Sequence, residues 1–190
     1  MSAIVLEVPV IVLTVAKHGS PRALSRTHEL TLSAVLTAFA LLIPLVFRGW
    51  LQVYIPPFSA TIGAHVPVML AMVVSPLAAA LVGLGSALGF LLTLGPVIAA
   101  RALAHVVFGV AGALFLRRGL APAWVLLATA PIHALFEVLV VMPFGFSFEQ
   151  AGLLVGVGTL LHHGADAAIA LFLLKAIERS GVGWKAFHGL

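Results

Sequence analysis

Residues 97–116 read VIAARALAHVVFGVAGALFL, twenty residues from Val97 to Leu116, apolar except for Arg101 and His105. About twenty apolar residues are what an α-helix needs to cross the hydrocarbon of a bilayer. An arginine at such a depth costs about 2.5–3.5 kcal/mol on insertion scales, so it is kept only where it has a use. The run decides the fold class, and the arginine inside it poses the functional question.

The rest of the chain agrees with a bilayer as solvent. Hydrophobic residues make up 62% of the 190 and charged residues 8%, with a mean hydropathy of +1.21. A soluble domain carries about 25% charged residues. Six charge-poor segments follow one another: Leu30–Phe47, Ser59–Ser75, Leu77–Leu94, Pro96–Leu116, Ala121–Met142 and Ala151–Leu174. Lipid-facing backbone must satisfy its own hydrogen bonds, and the runs are continuous rather than alternating, which favours helices over a barrel. The fold class expected is an all-α membrane protein, a six-transmembrane-helix bundle.

Charge sets the orientation. The formal net charge of +4 and a pI near 10.4 need no nucleic acid to explain them. Six spans put both ends of the chain on one side, with Lys17, Arg22, Arg26, Arg117, Arg118, Lys175, Arg179 and Lys185. The opposite loops hold Arg48 and Glu149. Loops rich in Lys and Arg stay inside, so both termini are expected in the cytoplasm. The absence of cysteine excludes disulfides and thiolate metal sites.

Three regions follow: residues 1–27 as a cytoplasmic or interfacial segment, 28–178 as the membrane domain and 179–190 as a cytoplasmic tail. MSAIVLEVPVIVLTVA at the start carries Glu7 and Pro9, lacks the basic leader and cleavage site of a signal peptide, and is short for a span. It reads as an interfacial helix or as translation from upstream of the natural start, with a seventh span as the competing reading. The longest outer connection, Arg48 to Gly63, is rich in aromatics and prolines. Trp50 and Tyr54 there suit either an interfacial belt or a lid.

Arg101 has company. Arg101 and His105, His133 and Glu137, and His162 and Asp166 are each four residues apart, which places each pair on one helix face. His163 is three before Asp166, and His65 stands near the start of the second segment. At 1.5 Å per residue, Arg101 and His105 lie about 7 and 13 Å from the outer end of their helix, Glu137 and His133 about 8 and 14 Å. With His65 they form an outer-half polar set, which intramembrane charge marks as functional by default. His162, His163 and Asp166 fall at the midplane or below and read as structural.

Several chemistries compete for that set. His65, His105, His133 and a carboxylate suit a transition metal, yet no two have tight motif spacing and a buried arginine repels a cation. Intramembrane hydrolysis lacks paired glutamates or a serine with a base. A channel needs a polar lining throughout, and the inner half is apolar. A small-solute binding protein remains, with Arg101 suited to a planar carboxylate.

Six helices in fewer than 200 residues, with Ala34 and Ala38 in LSAVLTAFA on the first, resemble the S component of an energy-coupling factor (ECF) vitamin transporter. FSATIGAHVPVMLAMVVSP, LVGLGSALGF and RALAHVVFGVAGALFL are most similar to its niacin-specific branch. The resemblance implies capture of a nicotinate-like vitamin from outside, without catalysis or a cofactor. It also implies partnership with an ECF transmembrane coupling subunit, packed on Ala34 and Ala38, and with two ABC ATPases. No Walker-type loop occurs in this chain, so ATP hydrolysis would belong to other polypeptides. The site it implies has Arg101 on the carboxylate and His105, His133 and His65 lining. Glu137 would orient Arg101 or bond the ring nitrogen, and Trp50, Tyr54 and Phe58 would cover the site. The alternatives are another vitamin or precursor, or a His-coordinated nickel or cobalt permease. The opening MSAIVLEV lacks the early histidine of the metal branch.

Overall fold

The computed structural model describes residues 25–180; the readings made for residues 1–24 and 181–190, including the interfacial helix or seventh span, lie outside the described residues. Among those described, five helices are long and apolar enough to cross a membrane: Arg26–Val46, Pro76–Leu94, Pro96–Arg117, Pro122–Phe144 and Phe148–Arg179. We label Arg26–Val46 α1 and Pro76–Leu94 α3. The fourth span is a pair, α4 (Pro96–Ala102) and α5 (Ala104–Arg117), interrupted at Leu103. The fifth is α6 (Pro122–Val141) with a 3₁₀ turn after it, and the last comprises a short turn, α7 (Phe148–Gln150), a π-helical stretch over Ala151–Val157, and α8 (Gly158–Arg179).

Helix starts follow local chemistry. Pro76, Pro96 and Pro122 each sit in a first turn, where the missing N–H costs least. Ser25 and Ser75 cap α1 and α3 by accepting from the backbone N–H of His28 and Ala78.

The expected second span is where sequence and structure part. Ser59–Ser75 is not one helix. A hairpin of β1 (Gln52–Ile55) and β2 (Phe58–Thr61), paired antiparallel with Gln52 opposite Thr61 and Ile55 opposite Phe58, takes up its start. A turn through Gly63, at φ +80°, leads to α2 (Val66–Met72). Seven residues rise only about 10 Å, a third of the hydrocarbon thickness. Six of those seven are buried, so this passage is wrapped in protein, where non-helical backbone is tolerated.

Glycine contacts fix how the helices run. A Cβ on Gly89 would come within 2.9 Å of Pro44 and 3.2 Å of Leu41, and Gly85 faces Thr37, so α1 and α3 lie side by side and parallel. The chain therefore returns across the bundle between Val46 and Pro76, through the hairpin and α2. Gly83 faces His105 and Val106, and Gly109 faces Ala79, which sets α3 and α5 antiparallel. Val68, Met72, Ala79, Val82 and Phe108 form the centre of the core that these elements share. The glycine pair at spacing four in α3 thus marks a real interface. Ala34 and Ala38, by contrast, face outward.

Candidate functional site

The hairpin reaches into the bundle with alternating residues. Ser59 and Thr61 on β2 are buried while most of β1 is exposed, so the inward face of the strand is polar. It meets Arg101 at the end of α4. Arg101 Nη1 donates to the Pro57 carbonyl at 2.8 Å and to Ser59 Oγ at 3.4 Å, and Nη2 to the Ser59 carbonyl at 3.5 Å. Its inner edge pairs with Glu137 on α6: Nη2 and Nε donate to Oε2 at 2.6 and 3.2 Å. The Phe58 ring lies 5.5 Å from the guanidinium carbon, at cation–π range.

Glu137 is a junction. Thr159 Oγ1 also donates to its Oε2, and His133 Nε2, one turn earlier on α6, stands 3.3 Å from its Oε1. Thr159 comes two residues after the π-helical stretch, whose wider turn shifts the register of the residues after it. Behind this junction the imidazoles assemble. The His65 ring is 4.8 Å from that of His105, 4.6 Å from His133 and 4.2 Å from His162, centroid to centroid.

Asp166 organises the other side. Its two oxygens accept the backbone N–H groups of Gly63 (2.8 Å) and His65 (3.0 Å), the donors left over where the chain turns between β2 and α2. Its Oδ2 also lies 3.0 Å from His65 Nδ1 and 3.3 Å from His162 Nε2. His162 Nε2 is 3.0 Å from the Thr61 carbonyl, to which it donates. A carboxylate with no exposure is held here by donors that the unwound backbone supplies.

The five residues read from the sequence as one outer-half set, His65, Arg101, His105, His133 and Glu137, do converge, and all are at most 3% exposed. His162 and Asp166 were set apart from them by depth, yet they join the cluster through His65. Ser59, Thr61, Thr159 and Ser86, which pairs with His105 Nδ1 at 2.8 Å, complete it without having stood out in the sequence. Thr159 and His163 share the spacing of four that identified the other pairs, which is the signal that points to it.

Between hairpin and helices is a cavity of about 20 Å³, lined by Ser59, Thr61, His65, Arg101, His105, Glu137 and His162 with Ala64, Phe90, Ile98 and Ala102. That is room for about one water. Trp50 and Tyr54 lie away from this cavity. Trp50 is 65% exposed and donates Nε1–H to the Val46 carbonyl, and Tyr54 is exposed on β1. Trp50 and Phe58 line a separate groove, and among the described residues only His162 borders both spaces.

The fold and the site define a multi-pass membrane protein whose polar residues converge on one buried, closed centre. No family model and no solved structure matches the chain. It is 34% identical over 175 residues to the niacin transporter NiaX of Lactococcus lactis subsp. cremoris (strain MG1363), covering 82% of this chain and 77% of the relative. The chain belongs to that family, and with it to the S components of energy-coupling factor vitamin transporters. It is a transport protein of the bacterial cell membrane and not an enzyme.

Proposed function

We propose that this protein is the substrate-binding subunit for nicotinate, taken up from outside and released by a separate module of one transmembrane coupling subunit and two ATPases. The observation that carries the reading is Arg101, a guanidinium buried on the wall of a histidine-lined cavity in a relative of a niacin transporter. Its outward donors are held by Pro57 and Ser59 oxygens of the hairpin, and a planar carboxylate offers the same acceptors in a bidentate form.

The cavity as it stands is far smaller than a pyridine ring, so substrate enters by exchange. The hairpin lifts, its oxygens leave Arg101, and the carboxylate replaces them. Phe58, between Pro57 and Ser59, moves with the hairpin and covers the ring as it closes again, and His65 and His105 line its sides. Glu137 keeps the guanidinium in plane from behind, where Thr159 fixes it in turn. In this scheme Trp50 reports the movement from the hairpin's outer base rather than touching the ligand.

The test is a calorimetric titration of ligand-stripped protein in detergent with nicotinate, nicotinamide and unrelated vitamins. Saturable binding of nicotinate, lost in Arg101→Ala, is the expected result. Tight binding of another vitamin with no response to nicotinate would move the protein to a different substrate. Nicotinate affinity unchanged in Arg101→Ala would make the arginine structural.

A further inference from the structure

His65, His105 and His133 offer ring nitrogens that all lie within 4.8 Å of one another, and all three residues are buried. Structural histidines of this depth are expected to spend their nitrogens on hydrogen bonds. Here they do not. His133 Nε2 has no hydrogen-bond partner, His65 Nδ1 has only the Asp166 carboxylate beside it at 3.0 Å without hydrogen-bond geometry, and His105 uses only Nδ1.

The partners fix which tautomer a neutral His133 takes. The Leu126 carbonyl can only accept, so His163 Nε2, 3.0 Å away, carries a hydrogen. A neutral His163 then presents a bare Nδ1, which accepts from His133 Nδ1–H at 3.1 Å. In the neutral ring His133 Nε2 keeps its lone pair, 3.3 Å from the Glu137 carboxylate. Two acceptors then face each other in the bundle interior, an arrangement that calls for a cation between them, a proton or a metal ion. The same chain of bonds is the outer support that metal-bound imidazoles use: His105 on Ser86, His133 on His163 and Leu126, His65 beside Asp166.

Arg101 does not forbid such a cation. Among the described residues the buried charged groups are Arg101, Glu137 and Asp166, one positive and two negative, so with neutral histidines the centre carries −1. A divalent ion brings it to +1, and a monoanionic ligand then brings it to zero, which a low-dielectric interior favours. Three imidazoles suit zinc, nickel or cobalt. Metal–nitrogen bonds of about 2.0–2.1 Å need ligand atoms roughly 3.4 Å apart, so the rings close by an ångström or so around an ion.

Resting on the nicotinate reading above, we propose that His65, His105 and His133 hold a divalent transition-metal ion whose open position takes the ring nitrogen of the aromatic acid, while Arg101 takes its carboxylate. The two ends of a pyridine carboxylate are then read by different chemistry. Benzoate, with its carboxylate on Arg101, has no ring nitrogen to offer the metal, and nicotinamide, which lacks the charge, leaves the centre at +1.

Cobalt(II) is the probe, because its visible absorption reports its ligands. The full chain, carrying an affinity tag without histidine, is stripped with a chelator in detergent and titrated with cobalt chloride, then with nicotinate. The expected result is absorption saturating at one cobalt per protein, shifted by nicotinate but not by benzoate. Nicotinate affinity should also fall at least tenfold when the metal is removed. His105→Gln should abolish the cobalt signal, and His28→Gln, an exposed histidine outside the cluster, should keep it. No stoichiometric cobalt, or cobalt that persists in His105→Gln, overturns the metal centre. Nicotinate bound equally tightly without metal overturns the coordination of the ring and leaves the nicotinate reading standing. Cobalt bound at the histidines with no nicotinate binding in either form defeats that reading instead, and the ligand role of the metal with it.

Discussion

Arg101 Nη2 donates to Glu137 Oε2 at 2.6 Å in a site where both residues are 3% exposed. Desolvating such a pair cancels much of its attraction, so its chief energetic consequence appears when one partner is lost. Arg101→Ala leaves the Glu137 carboxylate buried without its cation and should destabilise the protein by about 3–5 kcal/mol. The double variant Arg101→Ala, Glu137→Ala removes both charges and should recover part of that loss, while nicotinate binding stays abolished. Thermal melts and calorimetry on the two variants separate the roles. A double variant no more stable than the single one would show that the pair is not coupled.

Asp166 acts on a different scale, as an acceptor for a turn that cannot satisfy itself. Removing its carboxylate orphans the N–H groups of Gly63 and His65 in the bundle interior. Asp166→Ala should therefore cost about 1–3 kcal/mol for each orphaned group, and Asp166→Asn, which keeps one acceptor oxygen, distinctly less. The readout is hydrogen exchange at the two amides, with melting temperature alongside. Equal protection in wild type and Asp166→Ala would mean the turn is held by something else.

These residues show where the sequence is transparent. Pairs four apart on a helix are legible because the period fixes the face, and Arg101 with His105, His133 with Glu137 and His162 with Asp166 all follow it. Hydropathy also marks the membrane-length helices. It does not see the form of the second passage, since burial within protein, not lipid contact, is what lets residues 58–65 depart from helix. With that passage read as a straight rod, Asp166 had no partner at its depth and was separated from His65. Ser59 and Ser86 were silent for another reason: a hydroxyl gains its meaning from what it faces across the bundle, which no local spacing encodes.

Backbone proximity between α3 and α5 gives a packing prediction. A Cβ at Gly83 would lie 2.7 Å from the backbone nitrogen of Val106 and 2.9 Å from the carbonyl carbon of His105, neither of which can swing aside. Gly83→Ala should push the helices apart, destabilise by about 1–3 kcal/mol, and displace His105. It should therefore weaken ligand binding without touching a ligand. Gly152→Ala meets nothing within 4 Å and serves as the matched control. Identical melting behaviour of the two variants would contradict the close approach.

The outward face of α1 supports the last prediction. Only 17% of its spanning window is buried, against 28–56% for the other four, so among the described residues α1 is the least covered of the five. Ala34 and Ala38 lie one turn apart on exposed positions, and small residues at that spacing admit another helix closely. As the proposed contact with the coupling subunit, this surface should reject bulk: Ala34→Trp or Ala38→Trp should abolish copurification with the transmembrane subunit and ATPases. Neither residue lines the Arg101 cavity, so nicotinate affinity of the isolated protein should be unchanged. Leu42→Trp, on an exposed position of the same helix but two turns from Ala34, tests whether the effect belongs to the alanine pair or to any bulk on α1. Full retention of the complex in both alanine variants would place the docking surface elsewhere.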